Sequence, residues 1–183
     1  MTDIADLEKQ IEVLRGEVEI LKANAPKDQL SMVVMSGDLD KLLAAFIIAT
    51  GSAAMYDKVV MFFTFWAIPL LKDPKKKIKK NTISKAFEIM LPQHTKGLKL
   101  STMNMMGMGP IMIDWLMKKH NVKSLGDLIK IAGEMGVEIY ICQMSMDLLG
   151  YKWEEMIDYP NIKAAGVGKF VAEAGQSKAS LFI

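Results

Sequence analysis

Cysteine is almost missing from this 183-residue chain, with Cys142 the only one. A single thiol cannot close an intramolecular disulfide, cannot run a dithiol–disulfide cycle within one subunit, and cannot supply a cysteine-rich zinc site. Such sparing use fits a reducing compartment, so the expected location is the cytoplasm. Histidine is nearly as scarce. His94 and His120 lie far from Cys142 in sequence, near the ends of expected helices, so a Cys–His pair is poorly motivated and no metal is expected. An excess of one charge is missing too: 23 basic against 21 acidic residues leave a net charge of +2. That balance predicts no general affinity for nucleic acid. Long apolar runs are absent. The longest, Met61 to Leu71, is about 11 residues, against ~20 for a bilayer-spanning helix, so no transmembrane segment is expected. The start, Met1-Thr2-Asp3-Ile4, shows neither a basic n-region nor an apolar h-region, and no signal peptide is read there. Neither Gly-x-Gly-x-x-Gly nor Gly-Lys-Ser/Thr occurs, and no cofactor is expected.

What is present reads as one α/β domain with an appendage. Residues 1–25 form the appendage. Ile4, Leu7, Ile11, Leu14, Val18 and Leu21 fall on alternating steps of three and four, an a/d seam over three heptads among Asp, Glu, Lys and Arg. So narrow an apolar stripe asks for a partner helix, and a homo-oligomer is the expected use; packing back on its own domain is the alternative. Asn24-Ala25-Pro26 breaks the helix.

The domain, residues 26–183, opens with a buried-strand pattern at Leu30–Met35, a helix from Leu39 to about Ala54, and a second continuous apolar strand at Lys58–Phe63. Strands without polar alternation suit a parallel sheet covered on both faces. A basic loop, Lys72–Lys80, reads as solvated surface, with docking of an acidic partner as the alternative. Residues 82–92 look helical. Pro110 fits the first turn of a helix running to about Lys119, and Ser124 is placed to cap another over 125–135, ended by Gly136. Val137–Cys142 is a β-branched strand that stops at the thiol and turns into a helix. Asn161–Ala165 is a fourth strand, 168–175 a helix, and Ser180–Ile183 a final edge strand. The fold class is therefore doubly wound α/β with four or five mostly parallel strands.

In such sheets ligands bind outside the carboxyl ends of the strands. Those ends are Ser36-Gly37-Asp38, Thr64-Phe65-Trp66, Cys142 and Gly166. Cys142 on that rim, at the start of a helix, is the candidate catalytic residue, because a helix start favours the thiolate. Gln143, Met144 and Ser145 follow it directly. Ser36-Gly37-Asp38 either approaches a bound anion or simply caps a helix, and Asp38 and Asp40 would disfavour phosphate. Trp66 is placed to roof the thiol or to sit in the core. Met103, Met105, Met106 and Met108 suit an irregular apolar surface better than a copper site, and Met106 and Met108 are included with these residues as the substrate pocket.

Four stretches together resemble the DsrE/DsrF-like family, in its branch of longer sulfurtransferase-like and peroxiredoxin-named members. They are Val33–Lys41, Met61–Trp66, Met105-Met106-Gly107-Met108 and Ile141–Asp147, and the resemblance spans about residues 29–183. It implies a flavodoxin-like fold, homo- or hetero-oligomers, and a cysteine that carries sulfane sulfur as a persulfide, with Cys142 at the matching position. It implies sulfur donor and acceptor proteins without naming them. A non-catalytic binding module with a structural Cys142 is the alternative from a different class. A thiol peroxidase is weaker, since without a resolving cysteine it needs an external reductant.

Overall fold

The computed structural model describes residues 4–76, 94–95 and 97–183. The expected helix at 82–92 and the lysines at 77–80 lie outside the described residues.

Runs of branched and apolar residues make the central strands, which are buried, while the two edge strands are partly exposed. β1 (Lys27–Val34), β2 (Lys58–Phe63), β3 (Glu138–Cys142), β4 (Ile162–Ala165) and β5 (Ser177–Phe182) form one sheet in the order β4-β3-β2-β1-β5. Every neighbouring pair is parallel. Parallel neighbours cannot be joined by a tight turn, so each connection crosses over the sheet. α2 (Leu39–Ala53) links β1 to β2. A 3-10 segment at Phe65–Leu71, then α3 (Met108–Lys119) and α4 (Leu125–Glu134), lead to β3. α5 (Gln143–Leu149) follows β3, and α6 (Val167–Gln176) carries the chain back to β5 outside β1. The expected doubly wound, flavodoxin-like α/β class is what the structure shows. Its outer neighbour of β1 is β5, where flavodoxin itself places β2.

Side-chain alternation divides the sheet into two unequal faces. Leu30, Met32, Val34, Val59, Met61, Phe63, Ile139 and Ile141 build the main core with Leu42, Phe46 and Ala49 of α2 and Leu128, Ile129 and Ala132 of α4. The opposite face is smaller and graded. Near the thiol end it holds Val60, Phe62, Tyr140 and Cys142, with Ala165 and Phe170 packed against them. Toward the start of the strands it buries Gln29 and Ser31. Their partner is on α6: Gln29 Nε2 donates to the Glu173 carboxylate at 2.8 Å and to Ser31 Oγ at 3.1 Å.

Local signals end the elements where the residues demand it. Ser124 Oγ accepts from the Asp127 N–H at 3.2 Å and caps α4. Gly136, at φ 80°, turns the chain into β3. The basic loop departs from a wholly solvated one at its first residue. Lys72 is buried, its Nζ 3.6 Å from Glu155 Oε1, and the Asp73 N–H donates to the Glu155 carbonyl at 2.8 Å.

The N-terminal helix stands apart from this packing. α1 (Ile4–Asn24) exposes its six seam residues and ends only two residues before β1. Among the described residues, no helix is long and apolar enough to cross a membrane.

Candidate functional site

Strand β3 delivers Cys142 to the rim formed by the carboxyl ends of the strands. The register aligns Val34 with Phe63, Phe63 with Ile141, and Cys142 with Ala165, so four strands end together. Cys142 is the residue before α5, in extended backbone at φ −62° and ψ 111°. Its side chain points away from the main core and is only 4% exposed. It makes no formed cap bond to α5.

The groups around the sulfur nevertheless favour its charged form. Burial alone would push the thiol up. The hydroxyl and N–H of Ser145, the hydroxyl of Thr64 and the N–H of Met144 act against burial and hold it below its ordinary value. The two hydroxyls lie 2.9 Å apart, joining the end of β2 to the first turn of α5. Ser145 is fully buried, and the Thr64 N–H is fixed on the Val34 carbonyl at 3.0 Å. This arrangement suits a sulfur nucleophile, since the thiolate is the attacking form.

Beside it, the loop after β1 lies hard against the chain after β2. A Cβ on Gly37 would come within 2.4 Å of the Trp66 carbonyl oxygen, so only glycine allows this approach. Ser36 Oγ donates to Asp38 at 2.9 Å, and Lys41 pairs with the same carboxylate at 3.2 Å. Asp38 is at the N-cap of α2 but makes no side-chain cap bond; the Leu39 N–H donates instead to the Lys99 carbonyl at 2.7 Å. Asp40 is engaged by the Ser101 N–H and hydroxyl. Among the described residues, no three of His, Cys, Asp and Glu gather as a metal site.

Residues 26–182 match the DsrE/DsrF/DrsH-like family. The chain belongs to that family. It is 44% identical over 154 residues to the uncharacterized protein YrkE of Bacillus subtilis, covering 84% of this chain and 95% of that protein. It is 30% identical over 158 residues to the sulfur carrier protein DsrE2 of Allochromatium vinosum, covering 85% and 98%. The crystal structure of the E. coli ychN protein superposes with a TM-score of 0.48 at 9% identity, covering 85% of this chain and 99% of that one.

Within this DsrE/DsrF/DrsH-like chain the expected pocket residues take different positions. Ser145 and the Met144 N–H help hold the thiol below its ordinary value, while the Met144 side chain is exposed. Gln143 turns outward and donates to Asp147 at 3.1 Å. Gly37 lies against the backbone of Trp66, Ser36 donates to Asp38 next to it, and the Trp66 side chain is half exposed. Met106 is fully exposed and Met108 largely so; neither belongs to the apolar cluster around Cys142. His94 is turned to the Leu70 carbonyl, 2.6 Å from its Nδ1.

Thr64 is placed on the rim by the sequence but not given a role toward the thiol, and Phe170 is not singled out at all. Thr64 ends a strand whose neighbour carries Cys142, which was the available signal. Phe170 is the aromatic packed on the cysteine cluster, its ring centroid 5.4 Å from that of Phe62. Its distance of 28 residues from Cys142 gave no local clue.

Proposed function

We propose that this chain is a sulfur carrier in which Cys142 holds sulfane sulfur as a persulfide. The thiolate attacks the outer sulfur of a donor persulfide, R–S–SH. The donor's S–S bond breaks, R–S⁻ leaves, and Cys142–S–SH forms. An acceptor thiolate then attacks the outer sulfur of Cys142–S–SH, takes it as a new persulfide and restores the Cys142 thiolate. The two steps balance without an external oxidant. The observation that carries this reading is the place of Cys142, at the end of β3 and the start of α5 beside the paired hydroxyls of Thr64 and Ser145, where its thiol is held below its ordinary value against burial. The family membership and the likeness to a protein named as a sulfur carrier support it.

In this reading Ser36, Gly37, Asp38, Trp66, Gln143, Met144 and Ser145 form the rim over which donor and acceptor approach. Met106 and Met108 contribute an apolar surface for those partners. The protein works as a homo-oligomer in the cytoplasm, where a lone thiol stays reduced.

Mass spectrometry of the intact protein after exposure to polysulfide tests the proposal. Wild type gains the mass of one sulfur atom, Cys142→Ser does not, and a reductant removes the gain. Wild type without that gain would falsify the carrier role.

The 4% exposure of Cys142 favours a second reading, a non-catalytic binding module with a structural cysteine. That reading requires Cys142 to label only on unfolding. The carrier requires labelling under native conditions.

A further inference from the structure

We propose that α1 pairs in parallel with α1 of a second copy of this chain, forming a two-stranded coiled coil. The seam residues are sorted by shape. Ile4, Ile11 and Val18, at the a positions, are β-branched, while Leu7, Leu14 and Leu21, at the d positions, are all leucine. β-Branched a with leucine d is the combination that favours two parallel strands. An antiparallel pair would mix the two shapes in every layer and make the sorting pointless.

The remaining surface agrees. The seam is exposed along its length rather than seated on the domain, so it is available to another chain. In the parallel register Glu17 of one helix meets Lys22 of the other, and Gln10 meets Arg15, at the g and e positions that flank the seam. Val13 and Ile20 are apolar but lie outside the seam, at c positions.

The connection fixes where such a coil joins the domain. Only Ala25 and Pro26 separate α1 from Lys27, the first residue of β1. All strands are parallel, so Lys27 marks the end of the sheet opposite Cys142. Eight steps along β1 to the level of the thiol span about 26 Å. The coil therefore ties two domains at the ends remote from their thiols. It does not bring one Cys142 to the other, and each remains free for a different protein.

Disulfide trapping in the full chain tests the pairing without any sulfur transfer. In a Cys142→Ser background, Leu21→Cys should oxidise to a covalent dimer, and Val13→Cys should not. Leu21→Cys that stays monomeric, or that links only when mixed with Ile4→Cys, overturns the parallel arrangement. Light scattering gives the stoichiometry. An Ile11→Lys, Leu14→Lys double variant should fall to half the wild-type particle mass with the thermal transition of the domain retained. An unchanged mass, or a fall to one third, overturns the two-stranded coil.

Discussion

The hydroxyls of Thr64 and Ser145 stand 2.9 Å apart, and both favour the charged form of Cys142. One comes from the end of β2 and the other from the first turn of α5, so the thiol is tuned by elements distant in sequence. Burial and hydrogen bonding pull its ionisation in opposite directions, and the donors win.

Removing either hydroxyl should tip that balance. Thr64→Val and Ser145→Ala each leave burial in place and take away a donor. The folded-state pKa of Cys142 then rises, and the thiolate fraction at neutral pH falls. The check is the pH–rate profile for alkylation of Cys142. Its midpoint should move upward in both variants, whereas a change in accessibility would alter the plateau alone. An unmoved midpoint would remove these hydroxyls from the chemistry.

Glu173 holds the same face of the sheet at the start of the strands, the end opposite Cys142. Burial alone would raise its carboxyl, but Lys169, Gln29 and Lys58 bonded to it bring it down to about 2. A carboxylate depressed on folding stabilises the fold fully above its unfolded value of about 4.3. That contribution is lost as pH falls from there toward about 2, and it amounts to roughly 3 kcal/mol at most. Glu173→Gln should cost about 2 kcal/mol at pH 7 and flatten the acid limb of a denaturation series across that window. Because Phe170 lies one turn earlier on α6 and packs against the cysteine cluster, native-state labelling of Cys142 should also quicken. Unchanged labelling alongside lost stability would separate α6 from access to the thiol.

Much of this arrangement was legible in the sequence because it is local. The central strand β2 is an almost uninterrupted apolar run, Ser124 caps α4, and Cys142 ends a β-branched strand at a helix start. What escaped reading depends on partners far along the chain. Gln29 and Ser31 look misplaced inside β1 until Glu173, 144 residues beyond Gln29, supplies the buried hydrogen bond. Lys72 belongs to a basic loop by composition, yet Glu155 draws it into the interior. Trp66 and Phe170 are equally aromatic in sequence, and only the return of α6 across the sheet decides which one packs on the cluster that holds Cys142. Met106 is fully exposed in a left-handed backbone at φ 52°, which its residue type does not announce.

Gly37 offers a direct test of how closely the rim is packed. An added Cβ would meet the Trp66 carbonyl oxygen at 2.4 Å, a backbone atom that no side-chain rotation can move aside. The loop after β1 and the chain after β2 must then separate. Overpacking of this kind costs about 1–3 kcal/mol, so Gly37→Ala should lower the melting temperature by roughly 4–8 °C if the cost is about 2 kcal/mol. Gly168→Ala is the matched control: nothing lies within 4 Å of its added Cβ, and alanine favours the helix it sits in. It should melt at or slightly above the wild-type temperature. With Trp115 and Trp153 replaced by Phe, the remaining Trp66 fluorescence reports the site of the damage, and its emission should shift in Gly37→Ala but not in Gly168→Ala. Equal melting temperatures for the two variants would mean that the loop yields freely, and Ser36 and Asp38 would then have no fixed place beside Trp66.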